Sequence, residues 1–240
     1  MYNKTFLMKN LALAFSSIRP SQLSEDVCDA REIEYLVCLQ QLQRVLPESF
    51  DLVVCENTID SEDQLKSEDL KEFLSNTEMV SLGSKGNIGT RNKGMGELLM
   101  LKTALSEIDI DKYENISYIT ARRLFTCPYV FERTERLNKQ ALISNPDVVF
   151  LDGKFAETSK DNLYNDMFFS MKRQTMIDYA DYSIQYMESD PSRQLGSEQL
   201  LYNFINENSI EYEWLEWLGL IRNDWERNKT ILDVNNFHFC

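Results

Sequence analysis

Glycine is scarce in this chain: eight occur in 240 residues, and five of them fall between Gly83 and Gly96. Histidine is scarcer still, with His238 alone. The five cysteines (Cys28, Cys38, Cys55, Cys127 and Cys240) include no C-x-x-C pair. One histidine and scattered thiols argue against a zinc centre. An odd, unclustered set of cysteines points instead to reduced, mostly buried thiols in a cytoplasmic protein. No apolar run approaches the roughly 18 residues that a membrane-spanning helix needs. Basic residues are outnumbered, 25 Lys and Arg against 39 Asp and Glu, for a net charge of −14. Such a chain repels nucleic acid and anionic lipid, which need a basic face, and leaves room only for a local basic pocket around a small anion.

What is present is a patterned alternation. Apolar residues make up 43 % of the chain, enough for one sizeable core over residues 1–240. "NLALAFSSI" (10–18) is a compact apolar run that fits a buried first strand better than the core of a signal peptide. "DAREIEYLVCLQQLQRVLP" has helical spacing, with Asp29 as a candidate N-cap and Pro47 as the stop. "FDLVVCENTID" is a second buried strand, "SEDLKEFLSN" a short helix and "EMVSLGS" a short strand. Leu98, Leu101, Leu105 and Ile108 then mark one helical face. "NISYITARRLF" is a further strand, "TERLNKQALIS" a helix, "PDVVFLDG" and "DMFFSMKR" strands. "QTMIDYADYSIQYMES" and "GSEQLLYNFINEN" are helices, the latter with Ser197 as its candidate N-cap. "YEWLEWLGLIRNDWE" fits no one template.

Strands alternating with helices predict an α/β fold: a mainly parallel central sheet with helices on both faces. Ligands of such sheets sit beyond the carboxyl ends of the strands. Those ends carry "SSIRP", "ENTID", the glycine loop and "TARRLF". The loop "GSKGNIGTRNKG" has neither Walker spacing nor G-x-G-x-x-G after the first strand. It is either a flexible turn or a cradle that offers backbone N–H groups to an anion at a helix start.

The order of these motifs resembles the nucleotide-sugar half of GT-A glycosyltransferases, over roughly residues 10–125. In that family the second strand often ends V-V-D-[ND]-G-S-x-D; here Val53-Val54-Cys55-Glu56-Asn57-Thr58-Ile59-Asp60 stands in its place. An N-x-G-x-x-x-x-N-x-G type of loop entering a helix follows; here it is Asn87-Ile88-Gly89-Thr90-Arg91-Asn92-Lys93-Gly94. A basic residue closes the first strand, here Arg19. The resemblance implies a GT-A-like, Rossmann-like sheet, a helical C-terminal part, and an acceptor half over about 126–240. It also implies that Arg19, Glu56, Asn57, Asp60, Asn87, Arg91, Asn92 and Gly94 line the nucleotide-sugar pocket.

The chain departs from the family where a D-x-D motif would hold Mg²⁺ or Mn²⁺. Thr120-Ala121-Arg122-Arg123 offers two cations there, so metal dependence is left open, and Arg122 or Arg123 is the candidate substitute for the ion. His238 is a weak metal-ligand candidate. The family's base at the start of a late helix corresponds to Glu198, whose other role is to favour the helix dipole. Asp166 and Asp152 are reserve candidates, Asp166 for catalysis and Asp152 for sugar binding. Tyr212, Trp214, Trp217 and Trp225 are either core or sugar-stacking groups. The expected function is transfer of a sugar from a nucleoside diphosphate donor to a glycan or other hydroxyl acceptor, with inversion. The rivals are a nucleotidyltransferase and a non-catalytic nucleotide-sugar-binding module.

Overall fold

The computed structural model describes residues 8–83, 93–144, 148–151, 154–157, 164–189, 196–224 and 229–232. Strand β1 (Lys9–Ser16) buries every residue after Lys9. Leu11, Leu13 and Phe15 join the core on one side of the sheet, Ala12 and Ala14 the core on the other. Burial on both sides is why a central parallel strand reads as a continuous apolar run. Helix α1 (Glu25–Val45) packs on the Ala12/Ala14 side, where small strand residues leave room for Tyr35, Leu39 and Leu42.

The chain returns through β2 (Phe50–Glu56), α2 (Glu68–Ser75) and β3 (Glu78–Ser81). Helix α3 (Lys93–Glu107) then packs on the opposite face and leads to β4 (Tyr113–Thr120), on the other flank of β1. Next come β5 (Arg123–Phe125), α4 (Tyr129–Glu135), β6 (Ala141–Ser144), β7 (Val148–Leu151) and β8 (Lys154–Glu157). The remainder is β9 (Phe168–Lys172), α5 (Arg173–Ser189), α6 (Ser197–Glu207), β10 (Tyr212–Leu215), β11 (Leu220–Asp224) and β12 (Lys229–Leu232). The seven-stranded central sheet has the order β10-β6-β9-β4-β1-β2-β3. Its pairings are parallel except for β9, which runs against both neighbours. Helices α3, α5 and α6 share one core; α1, α2 and α4 share the other. The mainly parallel sheet with helices on both faces is therefore as the sequence predicts.

Four local expectations need correction. Helix α1 begins at Glu25 with Ser24 at the cap, so Asp29 lies inside it; the polar first turn hides that start. The strand expected through Phe125 breaks after Thr120. The Ala121 N–H bonds to the Phe15 carbonyl at 2.9 Å, and β5 joins a separate sheet of order β12-β11-β5. The helix expected over 134–144 is α4 followed by β6, whose four residues are all buried; a short apolar run has no period to tell strand from helix. The unassigned aromatic stretch supplies β10 and β11, so the C-terminal part is not helical alone.

Cys28, Cys38, Cys55 and Cys127 are buried and form no disulfide among the described residues, and Cys240 lies outside them. Burial, then the Glu34 carboxylate, push the Cys38 thiol up to about 12, which keeps it protonated and unreactive. Among the described residues no helix is long and apolar enough to cross a membrane.

Candidate active site

The chain leaves β1 towards the α1 face and reaches β4 from the α3 face. Where neighbouring parallel strands send their connections to opposite faces, a crevice opens beyond their carboxyl ends. In this chain that point is Ser16–Arg19 beside Thr120–Arg123.

The rim of the crevice is tied together by Glu56, which is 0 % exposed. Its carboxylate accepts from the Ser16 hydroxyl at 2.5 Å, the Ile18 N–H at 3.2 Å and the Thr58 N–H at 2.6 Å, and from the Thr58 hydroxyl. Burial raises its pKa even against these donors. The expectation that Glu56 contacts a nucleotide is corrected: its oxygens are turned inward and engaged, and it joins the end of β1 to the end of β2. Asn57 stays at the rim, half-buried, accepting from the Ser17 hydroxyl at 2.5 Å.

Arg19 is corrected likewise. Its guanidinium bonds Asp29 at 3.0 Å together with Glu25 and Glu32. The Glu32 side chain, 1 % exposed, also accepts from the N–H groups of Lys66 (2.9 Å) and Ser67 (2.7 Å). Three carboxylates around one cation leave it little charge to offer an anion, so Arg19 braces β1, α1 and the start of α2.

Asp60 lies against Gly83, at the mouth of the glycine loop. Gly83 has φ +53, and a Cβ there would meet Asp60 Oδ1 at 1.8 Å and its Cα at 3.3 Å. Gly83→Ala is expected to cost about 1–3 kcal/mol of stability, from the left-handed backbone and the displaced carboxylate together. Urea unfolding checks this, and a cost under about 0.5 kcal/mol would show that the contact yields freely. Gly94 lies in the first turn of α3. Asn87, Arg91, Asn92, Asp152 and His238 lie outside the described residues.

Both candidate arginines lean towards α1. Arg122 pairs with the buried Glu34 at 3.6 Å, and Arg123, 8 % exposed, donates to the Arg122 carbonyl at 3.4 Å. Both guanidiniums act on the Cys38 thiol, opposing its upward shift. Strand alternation would have sent them to opposite faces; the break after Thr120 removes that constraint. A third cation, Arg31 of α1, was not legible as a site residue. It donates to the Ser17 carbonyl, and the Ser17 N–H donates to the Tyr35 hydroxyl at 2.9 Å.

On the opposite face an acidic group assembles. The Ser197 hydroxyl contacts Asp166 at 2.5 Å and Glu97 at 3.3 Å. Its single proton goes to the nearer carboxylate, Asp166. Gly196, rather than Ser197, caps α6, which frees the serine for this role. Glu198 folds back over Gly196, its Oε2 only 2.6 Å from where a Cβ of that residue would stand. Burial raises the pKa of Tyr118 and Tyr179; Glu97 and Asp166 add to both shifts and Glu198 to that of Tyr179. The expected catalytic residues Asp166 and Glu198 are thus brought together, with Glu97 as a member the sequence did not disclose. Its one signal is its place directly after the glycine-rich stretch.

Among the described residues no three His, Cys, Asp or Glu side chains are arranged to hold a metal ion. The aromatic candidates are partly buried against other rings: Trp217 stacks on Tyr129 at 4.6 Å, and Trp214 lies tilted to Tyr212 at 5.8 Å and edge-on to Tyr164 at 6.0 Å. Trp225 lies outside the described residues. A groove of about 340 Å³ between α1 and α2, lined by Gln40, Gln43, Asp69, Glu72, Phe73, Asn76 and Thr77, opens at the other end of the sheet.

This architecture is a nucleotide-diphospho-sugar-transferase-like fold. A solved Desulfovibrio desulfuricans G20 structure ascribed to the nucleotide-diphospho-sugar transferases matches with a TM-score of 0.50 at 12 % identity, over 86 % of this chain and 79 % of that one. The 4-diphosphocytidyl-2C-methyl-D-erythritol synthase of Anaerococcus prevotii matches with a TM-score of 0.52 at 13 % identity, over 87 % of each chain. At the level of sequence no family model and no curated protein matches.

Proposed function

We propose that the protein is a glycosyltransferase that moves a sugar from a nucleoside diphosphate donor to a hydroxyl acceptor, a glycan being the acceptor class. The observation that carries the reading is the division of the β1/β4 crevice: guanidiniums on the α1 face, carboxylates on the α3/α6 face. A nucleotide-sugar needs both. Its diphosphate gains negative charge as the glycosidic bond breaks, and fixed cations stabilise that charge. The acceptor hydroxyl must lose a proton, and a carboxylate takes it.

In this reading Arg122 faces the diphosphate, Arg123 buttresses it, and Asn57, Asp60 and the loop residues Asn87, Arg91, Asn92 and Gly94 surround the nucleoside. Asp152 belongs to the sugar side. Glu198 is the base, with inversion at the anomeric carbon, and Asp166, held by Ser197, orients the acceptor. The test is incubation with a panel of nucleoside diphosphate sugars and oligosaccharide acceptors. Release of nucleoside diphosphate is the expected result, and no turnover or binding with any donor overturns the reading.

The fold shared with a nucleotidyltransferase supports a second reading, in which the same crevice joins a nucleoside triphosphate to a sugar phosphate. "SSIRPSQLSED" after β1 holds no glycine, which weighs against a glycine-rich triphosphate loop at that place. Pyrophosphate rather than nucleoside diphosphate as the released product would select it.

A further inference from the structure

Arg31 is a partly buried cation that no carboxylate pairs with among the described residues. In a chain of net charge −14, Arg19, Arg122, Arg133 and Arg173 each have an acidic partner within 4.0 Å. Arg31 forms no such pair among the described residues, although it is half-buried on α1. Arg44 and Arg136, which also form none there, are exposed and need no partner. The Arg31 guanidinium sits over the Tyr35 ring, 5.7 Å from its centroid, with Nη2 at the Ser17 carbonyl and 3.4 Å from the Tyr35 hydroxyl. Its Nε is buried and has no hydrogen-bond partner. A buried donor left unmade is costly, and a native protein that keeps one usually has a use for it.

The surroundings indicate the use. Ser17 directly follows β1 at the strand end where the crevice opens. Arg122 follows β4 on the other side of that crevice, and both guanidiniums act electrostatically on the Tyr35 hydroxyl. Arg122 is only loosely paired, at 3.6 Å from Glu34, and its side chain is 29 % exposed. We infer that Arg31 and Arg122 form a two-sided clamp, with the Tyr35 hydroxyl between them, for the diphosphate of a nucleoside diphosphate ligand. A planar guanidinium suits a phosphate because it presents parallel N–H donors to two oxygens. Two cations approaching from α1 and from the end of β4 match the two phosphate groups of a diphosphate. The inference rests on the nucleotide-sugar reading for the ligand's identity, but not for the anion site itself.

The test is calorimetric titration of the full chain and of its Arg31→Ala, Arg31→Lys and Arg122→Ala variants. The probes are nucleoside diphosphates of the common bases, the matching nucleosides and inorganic pyrophosphate. Arg31→Ala and Arg122→Ala are each expected to weaken diphosphate and pyrophosphate binding by roughly 10- to 100-fold, with nucleoside binding changed by less than about twofold. Arg31→Lys, which keeps the charge and loses the fork, should fall in between. Far-ultraviolet circular dichroism checks that each variant is folded, and Arg31→Lys carries the comparison if Arg31→Ala is not. Unchanged diphosphate affinity in the Arg31 variants overturns the clamp and leaves the proposed function standing. Arg31-dependent pyrophosphate binding with no preference for any nucleoside diphosphate supports the anion site and removes the nucleotide reading. Equal losses for nucleosides and diphosphates would mark Arg31 as a structural prop and overturn the clamp.

Discussion

Replacing Glu198 by glutamine is expected to lower turnover of the sugar donor by roughly 10²- to 10⁴-fold while nucleoside diphosphate affinity changes by less than about twofold. Glutamine keeps the size and the hydrogen-bonding tip but cannot accept the acceptor's proton. Glu198 stands at the first turn of α6, beside a serine already committed to Asp166. A proton-transfer role therefore predicts a loss in turnover with binding of the donor intact. Asp166→Asn separates the neighbouring role: if Asp166 orients the acceptor, the acceptor KM rises more than turnover falls. Donor turnover that survives Glu198→Gln but not Asp166→Asn would move the base to Asp166. Steady-state kinetics with donor and acceptor varied in turn make the measurement.

Glu56→Ala is expected to destabilise the protein by about 3–5 kcal/mol, because it strands the buried N–H groups of Ile18 and Thr58 and two hydroxyls. For a chain of this length that is a fall in Tm of roughly 6–20 °C. The pH dependence has a definite sign. Burial raises the folded-state pKa of Glu56 above its ordinary value of 4.5, so the folded state binds the proton more tightly than the unfolded chain does. Its contribution to stability is fully present below 4.5 and declines as pH rises through the raised value. Glu56→Gln cannot titrate, so the stability of the wild type relative to this variant should fall as pH rises across that window. Denaturant melts of both proteins at a series of pH values provide the check. A wild type that gains on the glutamine variant with rising pH would contradict the buried geometry.

These two carboxylates show how much of the site was legible. Glu198 was singled out through the resemblance to a family base at the start of a late helix, and the structure places it in the first turn of α6, next to the serine that bonds Asp166. Glu56 lay at the right strand end, but its orientation was not readable. Whether a rim carboxylate faces a ligand or its own backbone depends on where Ser16, Ile18 and Thr58 stand, and Ser16 and Ile18 belong to another strand's end. Arg19 fails for the same reason, since its acidic partners come from α1. Arg31 and Glu97 escaped because a charged residue at helical spacing looks like any solvated face until the helix is docked. Nothing in the sequence says that Arg31 lies beside Ser17 while Arg44 of the same helix meets water.

By itself the sequence determined the alternation of buried strands and helices, and with it the mainly parallel sheet and the rim on which polar residues gather. Period and burial are local properties, written in neighbouring residues. Only the tertiary structure decided which charges pair with one another and which face the crevice. A side chain's electrostatic partners are set by packing across elements tens of residues apart, as between Arg122 and Glu34 or Ser197 and Glu97. The break of β4 after Thr120 belongs to the same class: Arg123–Phe125 pairs with Leu220–Arg222, far along the chain, and leaves a sheet that its own composition would have had it continue in.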